Sequence, residues 1–165
     1  MTDKASFTPE EWQLVMEGVM ASGMAVSAAE PSGLLGTLKE ALASGSAITE
    51  AKSNPQSNEL VRAIVTDFGT SEGRKTVQEG LKEKLKGAKA ADIKDRSMAI
   101  LRDASAVLDR RAPQDAPAVK ELLRQVSERV ADAASEGGFL GFGGVKVSDA
   151  EKATLKEISS VLQTA

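Results

Sequence analysis

Three carboxylates carry the most suggestive chemistry in this chain. Asp132 and Glu136 stand four apart at the end of a helical pattern, and Glu151 opens the next one. Residues at that spacing share a helix face, and the C-terminal end of a helix is the negative end of its dipole. Acids held there call for a positive partner. A divalent cation is one such partner, and with only oxygen donors to hold it, it would be a hard ion, Ca²⁺ or Mg²⁺. A basic side chain is another, with Arg129 and Lys146 close in sequence, and plain solvation is the third reading. Glu151 has a second role open to it, because Ser148-Asp149-Ala150-Glu151 spells a capping box, where the carboxylate accepts from a backbone N–H. Asp132, Glu136 and Glu151 are the candidate metal ligands.

Between them runs Glu136-Gly137-Gly138-Phe139-Leu140-Gly141-Phe142-Gly143-Gly144, which holds half of the chain's phenylalanines. Glycine allows close backbone approach, while the apolar side chains call for burial. The segment reads either as an apolar plug in the core or as a binding loop. In the second reading Phe142, flanked by Gly141 and Gly143, is the ring expected to touch a partner. The sequence here argues against phosphate cradling. Gly138 to Gly143 has P-loop spacing, but Gly144-Val145 stands where Lys-Ser/Thr is required.

Composition narrows the chemistry further. The chain has no Cys and no His, so thiolate nucleophiles, disulfides, zinc-thiolate sites and Ser-His-Asp triads are all excluded. Ser and Lys remain as nucleophile and base, but no spacing singles out a pair, and no catalytic residue is assigned. The net charge of −3 argues against general nucleic-acid binding. Lys82, Lys84, Lys86 and Lys89 form a basic run, but Glu83 and Asp92 interrupt it and no aromatic interleaves it, which reads as a solvated helix face. Gly18 to Ala29, the longest uncharged stretch near the N-terminus, is too short for a membrane span. No basic-then-apolar leader opens the chain, and the expected location is the cytoplasm.

The elements that must position these residues are helices. With 165 residues, 41% hydrophobic and only 3% aromatic, the chain fits one domain whose core is aliphatic and alanine-rich. Thr8, Pro9 and Glu11 form a capping box with proline at the first helical position, and Phe7 and Trp12 have the spacing of a hydrophobic staple. That helix runs to about Ala29, with Gly23 and its alanines allowing close approach. A second carries Leu34, Leu35, Leu38 and Leu42, and a short turn surrounds Ile48. Further periodic segments follow: Leu60 to Phe68, then Val77-Leu81-Leu85, then Ala90 to Arg111. Pro113 and Pro117 separate the last of these from a helix through Val119 to Ala134, and Ser148 caps the final one. No useful stretch alternates with period two. The expectation is an all-α, single-domain bundle of about seven or eight helices spanning 1–165.

An internal echo adds to this. Ala28-Ala29-Glu30-Pro31-Ser32-Gly33-Leu34-Leu35-Gly36 can be laid over Ala133-Ala134-Ser135-Glu136-Gly137-Gly138-Phe139-Leu140-Gly141. Both phrases follow an amphipathic helix, which suggests helix-loop-helix halves related by a pseudo-two-fold.

The run Val130-Ala131-Asp132-Ala133-Ala134, then Glu136-Gly137, then Val147-Ser148-Asp149-Ala150-Glu151 resembles the signature of TerB-like tellurite-resistance domains. The resemblance is close over about the last 35 residues and loose over about the first 45, and the middle matches only in being helical. This chain departs from the pattern by inserting Phe139 to Gly144 and by carrying Glu136 where that family has Asp. The glycine-rich phrase is also similar to that of a bacterial group without an assigned activity. The resemblance implies an all-α fold with acidic residues between helices, able in that family to hold a divalent metal. It implies no reaction. The functional expectation is a non-enzymatic binding or scaffold protein of a bacterial stress or envelope-associated process, with a protein partner and no required cofactor. A Ca²⁺- or Mg²⁺-binding helical sensor is the alternative, and a small hydrolase-like enzyme the third.

Overall fold

Local capping signals set most of the helix boundaries. The computed structural model describes residues 3–29, 45–46, 48–54, 56–135 and 147–163. Among the described residues all regular structure is helical. There is a 3-10 turn at Lys4–Ser6, and six α-helices follow: α1 Pro9–Ser27, α2 Glu59–Gly69, α3 Ser71–Lys84, α4 Ala90–Arg111, α5 Ala116–Ser135 and α6 Asp149–Leu162. Residues 48–53 are also helical. The all-α expectation therefore holds. The helix expected at Leu34 to Leu42, the glycine-rich segment and the paired phrases after Ala29 and Ser135 lie outside the described residues.

Thr8 begins α1 as the sequence predicts. Its Oγ1 accepts from the Glu11 amide at 3.2 Å, and the Glu11 carboxylate accepts in return from the Thr8 amide at 3.0 Å. The Phe7 and Trp12 rings meet at a centroid distance of 5.5 Å, tilted by 56°. Both are buried, so the staple is formed. At its other end α1 stops at Ser27, slightly short of the expected Ala29.

Helix α1 is the centre of the molecule. Val15, Met16, Glu17, Gly18, Val19, Ala21, Ser22, Gly23, Ala25 and Val26 are all buried, a distribution around the whole circumference that marks a core helix. Alanine, glycine and serine take the place that large aromatics occupy elsewhere, and they let neighbours come close. A Cβ placed on Gly18 would lie 3.2 Å from Ala104 Cβ and 3.7 Å from Leu123 Cδ1. Helices α4 and α5 therefore press on α1 at the same level.

These contacts also fix directions. Arg110 and Arg111 near the end of α4 bond to Glu11 near the start of α1, and Ala104 faces Gly18, so α4 runs antiparallel to α1. Ala112 to Asp115 reverse the chain, and Lys120 of α5 reaches back to both oxygens of Asp109 at 2.7 and 2.8 Å. From there α5 advances in the same general direction as α1. Pro117 is not a separator, as the sequence suggested; it sits in the first turn of α5, where its missing N–H has no helical partner to lose.

The remaining helices clothe this frame. Asn58 caps α2, its Oδ1 accepting from Leu60 N at 2.8 Å while its amide group donates to Asp115 Oδ1 at 2.7 Å. Thr70 caps α3, accepting from Gly73 N at 2.9 Å and donating to Asp67 O at 2.7 Å. This α2–α3 corner is so tight that a Cβ on Gly73 would overlap the Asp67 carbonyl. Helix α6 buries Thr154, Ile158 and Leu162, while the expected Leu155 and Val161 are half-buried. Each large apolar side chain removed from water contributes about 1.5–3 kcal/mol, and Leu60, Ile64, Leu101, Leu108, Leu123 and Ile158 are among those fully buried.

Candidate functional site

The lone indole of the chain organises a polar cluster at the start of α1. Trp12 is almost fully buried, and its N–H must find an acceptor there. It donates to Asp67 Oδ2 at 2.6 Å. Lys4, from the 3-10 turn, donates to the same oxygen at 2.8 Å and lies 5.8 Å from the Trp12 ring centroid, in cation–π range. Asp67 lies on the last full turn of α2, at the negative end of that dipole, so a positive partner relieves it.

These groups line an open cleft of about 570 Å³ between the N-terminal turn and α2. Asp3 and Lys4 form one wall, and Glu59, Arg62, Thr66 and Thr70 belong to the other, with Trp12 and Asp67 between them. Partial burial of Asp67 works against its charge, but the hydrogen bonds from Lys4 and Trp12 outweigh this and hold its carboxyl below the usual range. Glu11 is held lower still, at about 2 against an ordinary 4.5, by the Thr8 amide and the guanidinium groups of Arg110 and Arg111. Carboxylates so stabilised accept hydrogen bonds firmly but are weak bases at neutral pH.

Two of the three carboxylates expected from the sequence, Asp132 and Glu151, lie among the described residues. Glu151 is buried, and its Oε2 accepts from the Ser148 amide at 2.8 Å while Ser148 Oγ accepts from the Glu151 amide at 3.1 Å. Its carboxylate is engaged as a helix cap. Asp132 lies on the exposed side of α5 near its end. Arg129, weighed as a partner for it, pairs with Glu50 and donates to Ser46 at 3.2 Å. Glu136, Gly141, Phe142, Gly143 and Lys146 lie outside the described residues. Among the described residues, no group of three or more carboxylates gathers at a spacing that could hold a metal.

Asp67, Lys4 and Arg62 belong to no sequence motif. One signal pointed to Asp67 in principle, because a single buried Trp needs an acceptor and an acid at a helix C-terminus needs a donor. The basic run from Lys82 to Lys89 is exposed, as expected of a solvated face. Lys84 adds a contact that the run did not suggest, since it pairs with the fully buried Glu17 of α1.

Comparison with protein-family models, curated proteins and solved structures finds no match. No described helix is long and apolar enough to cross a membrane.

Proposed function

We propose that this chain is a non-enzymatic binding or scaffold protein. One observation carries the reading. Asp67, the acid lining the cleft beside the N-terminal turn, spends one oxygen on two donors and is held below the ordinary carboxylate range. A general base at neutral pH needs a pKa near 7, so this site is built to accept hydrogen bonds and present a fixed surface. Glu11 and Glu151 are likewise committed to capping.

The resemblance to TerB-like domains supports a bacterial stress or envelope-associated setting, and the location proposed with it is the cytoplasm. Phe142, with Gly141 and Gly143, belongs to the same proposal as the residue that touches a protein partner. The opposing reading is a cation sensor using Asp132, Glu136 and Glu151. Its case is weakened by the engagement of Glu151 in the cap.

Two measurements test the proposal together. Calorimetric titration with Ca²⁺ and with Mg²⁺ is expected to show no saturable binding. Cross-linking capture from a bacterial lysate is expected to yield a protein that the wild-type chain retains and a folded Phe142→Ala variant loses. Saturable uptake of either ion, abolished by Asp132→Asn, would overturn the proposal in favour of the sensor.

A further inference from the structure

Glu17 is a carboxylate that water does not reach, in the middle of the central helix. It is fully buried. Its Oε1 accepts from Gln13 Nε2 at 2.8 Å, and its Oε2 pairs with Lys84 at the end of α3. The cover over it is α3 itself, because a Cβ on Gly80 would overlap both Glu17 Oε1 and Gln13 Nε2. The backbone of α3 thus lies directly on the acid. Lys84 is different, with 41% of its side chain exposed. Among the described residues no other cation pairs with Glu17.

This arrangement has two self-consistent states. With α3 docked, Glu17 is dry and depends on the Lys84 ammonium, since a buried charge without a partner is strongly unfavourable. With α3 lifted, Glu17 is hydrated and needs no partner. The charge on Lys84 therefore favours only the docked state. Beyond this pair α3 is held by the buried Gly73, Val77 and Leu81 and by Arg96 of α4, which donates to the carbonyls of Lys84 and Lys86 at 3.1 and 2.9 Å.

We propose that Lys84 is a modification site, and that acylation of its amine lifts α3 from α1. The donor class is an acyl phosphate. The lysine nitrogen forms a bond to the acyl carbon, the acyl–oxygen bond of the donor breaks, and phosphate leaves. Two protons depart from the ammonium nitrogen, one on the phosphate and one to water. The product is a neutral amide that cannot balance Glu17. The Lys84 side chain is 41% exposed while the carboxylate it serves is sealed, so a surface event is read in the core.

Hydrogen exchange by mass spectrometry on the full chain, with acetyllysine installed at position 84, tests this. Exchange across residues 71–84 is expected to rise about tenfold or more, while α4 and α5 keep their protection, as for a local opening. Lys84→Gln is expected to behave like the acetylated chain and Lys84→Arg like the wild type. Adding Glu17→Gln to Lys84→Gln is expected to restore protection of α3, because the stranded charge is gone. Unchanged exchange in α3 of the acetylated chain overturns the proposal. So does uniform loss of protection through α1, α4 and α5, which would make Lys84 a general support of the fold, and so does failure of the double variant to recover.

Discussion

Trp12 and Asp67, on different helices and far apart in sequence, are joined by a 2.6 Å hydrogen bond from the indole Nε1 to Oδ2. That bond ties the first turn of α1 to the last turn of α2. Lys4 shares the same oxygen, so the N-terminal turn, the central helix and α2 meet on one atom.

Asp67→Ala removes the acceptor and leaves a buried donor unsatisfied. The expected loss is about 1–3 kcal/mol by chemical denaturation, with a change in the emission of the single Trp. The pH dependence follows from the lowered pKa of Asp67. Because the folded value lies below the unfolded one, its contribution is complete above the unfolded value, about 3.9. It is lost as pH falls through the folded one. A denaturation curve and emission spectrum unchanged from wild type would refute the coupling.

Glu11 governs a second acid transition. Its folded pKa of about 2 lies below an ordinary 4.5, so its stabilising effect is present above about pH 4.5 and disappears towards pH 2. Thermal melts of Glu11→Gln are expected to be less stable than wild type at neutral pH and to converge with it near pH 2. Parallel curves over that whole window would contradict the assignment.

Ser148→Ala is expected to cost about 0.5–2 kcal/mol, the range for loss of an N-cap. Ser148→Asp should retain most of the stability, because Asp also accepts from the Glu151 amide. Equal melting temperatures for wild type and the Ala variant would mean that the capping box does not support α6.

Gly73→Ala tests the α2–α3 corner. The new Cβ overlaps a backbone carbonyl, which cannot swing aside as a side chain would, and overpacking of this kind costs about 1–3 kcal/mol. Gly69→Ala, where a Cβ would meet nothing within 4 Å, serves as the control. Similar stability for the two variants would show that the corner yields.

The parts of the fold that were legible in the sequence are those whose causes are local. Thr8 and Ser148 cap as their neighbours dictate, and α4 spans the periodic stretch from Ala90 to Arg111. Phe7 and Trp12 meet because the spacing of a staple leaves them little alternative. What could not be read depends on contacts across the fold. Nothing beside Asp67 announces that Trp12 will donate to it, and nothing beside Glu17 announces Lys84. Met20, Ile93 and Leu85 fit the apolar stripes of their helices but are only half-buried, since periodicity gives a face without saying how deeply a neighbour covers it. Gly23, where close approach was expected, is buried, and Gly18, which the sequence did not single out, is where Ala104 and Leu123 converge. Which small residue meets a partner depends on tertiary register.

That register bears on the symmetry of the molecule. Gly18 lies against Leu123, and the separation of these two in sequence is the same as that of Ala28 and Ala133, where the paired phrases begin. Helices α1 and α5 advance in the same sense, so they carry the openings of both phrases to one level at one pole. The Trp12–Asp67 cleft lies at the other. A rotation axis crossing the helices would reverse their direction. Any two-fold that superposes α1 on α5 must therefore run along them, and it leaves the two poles of the molecule inequivalent.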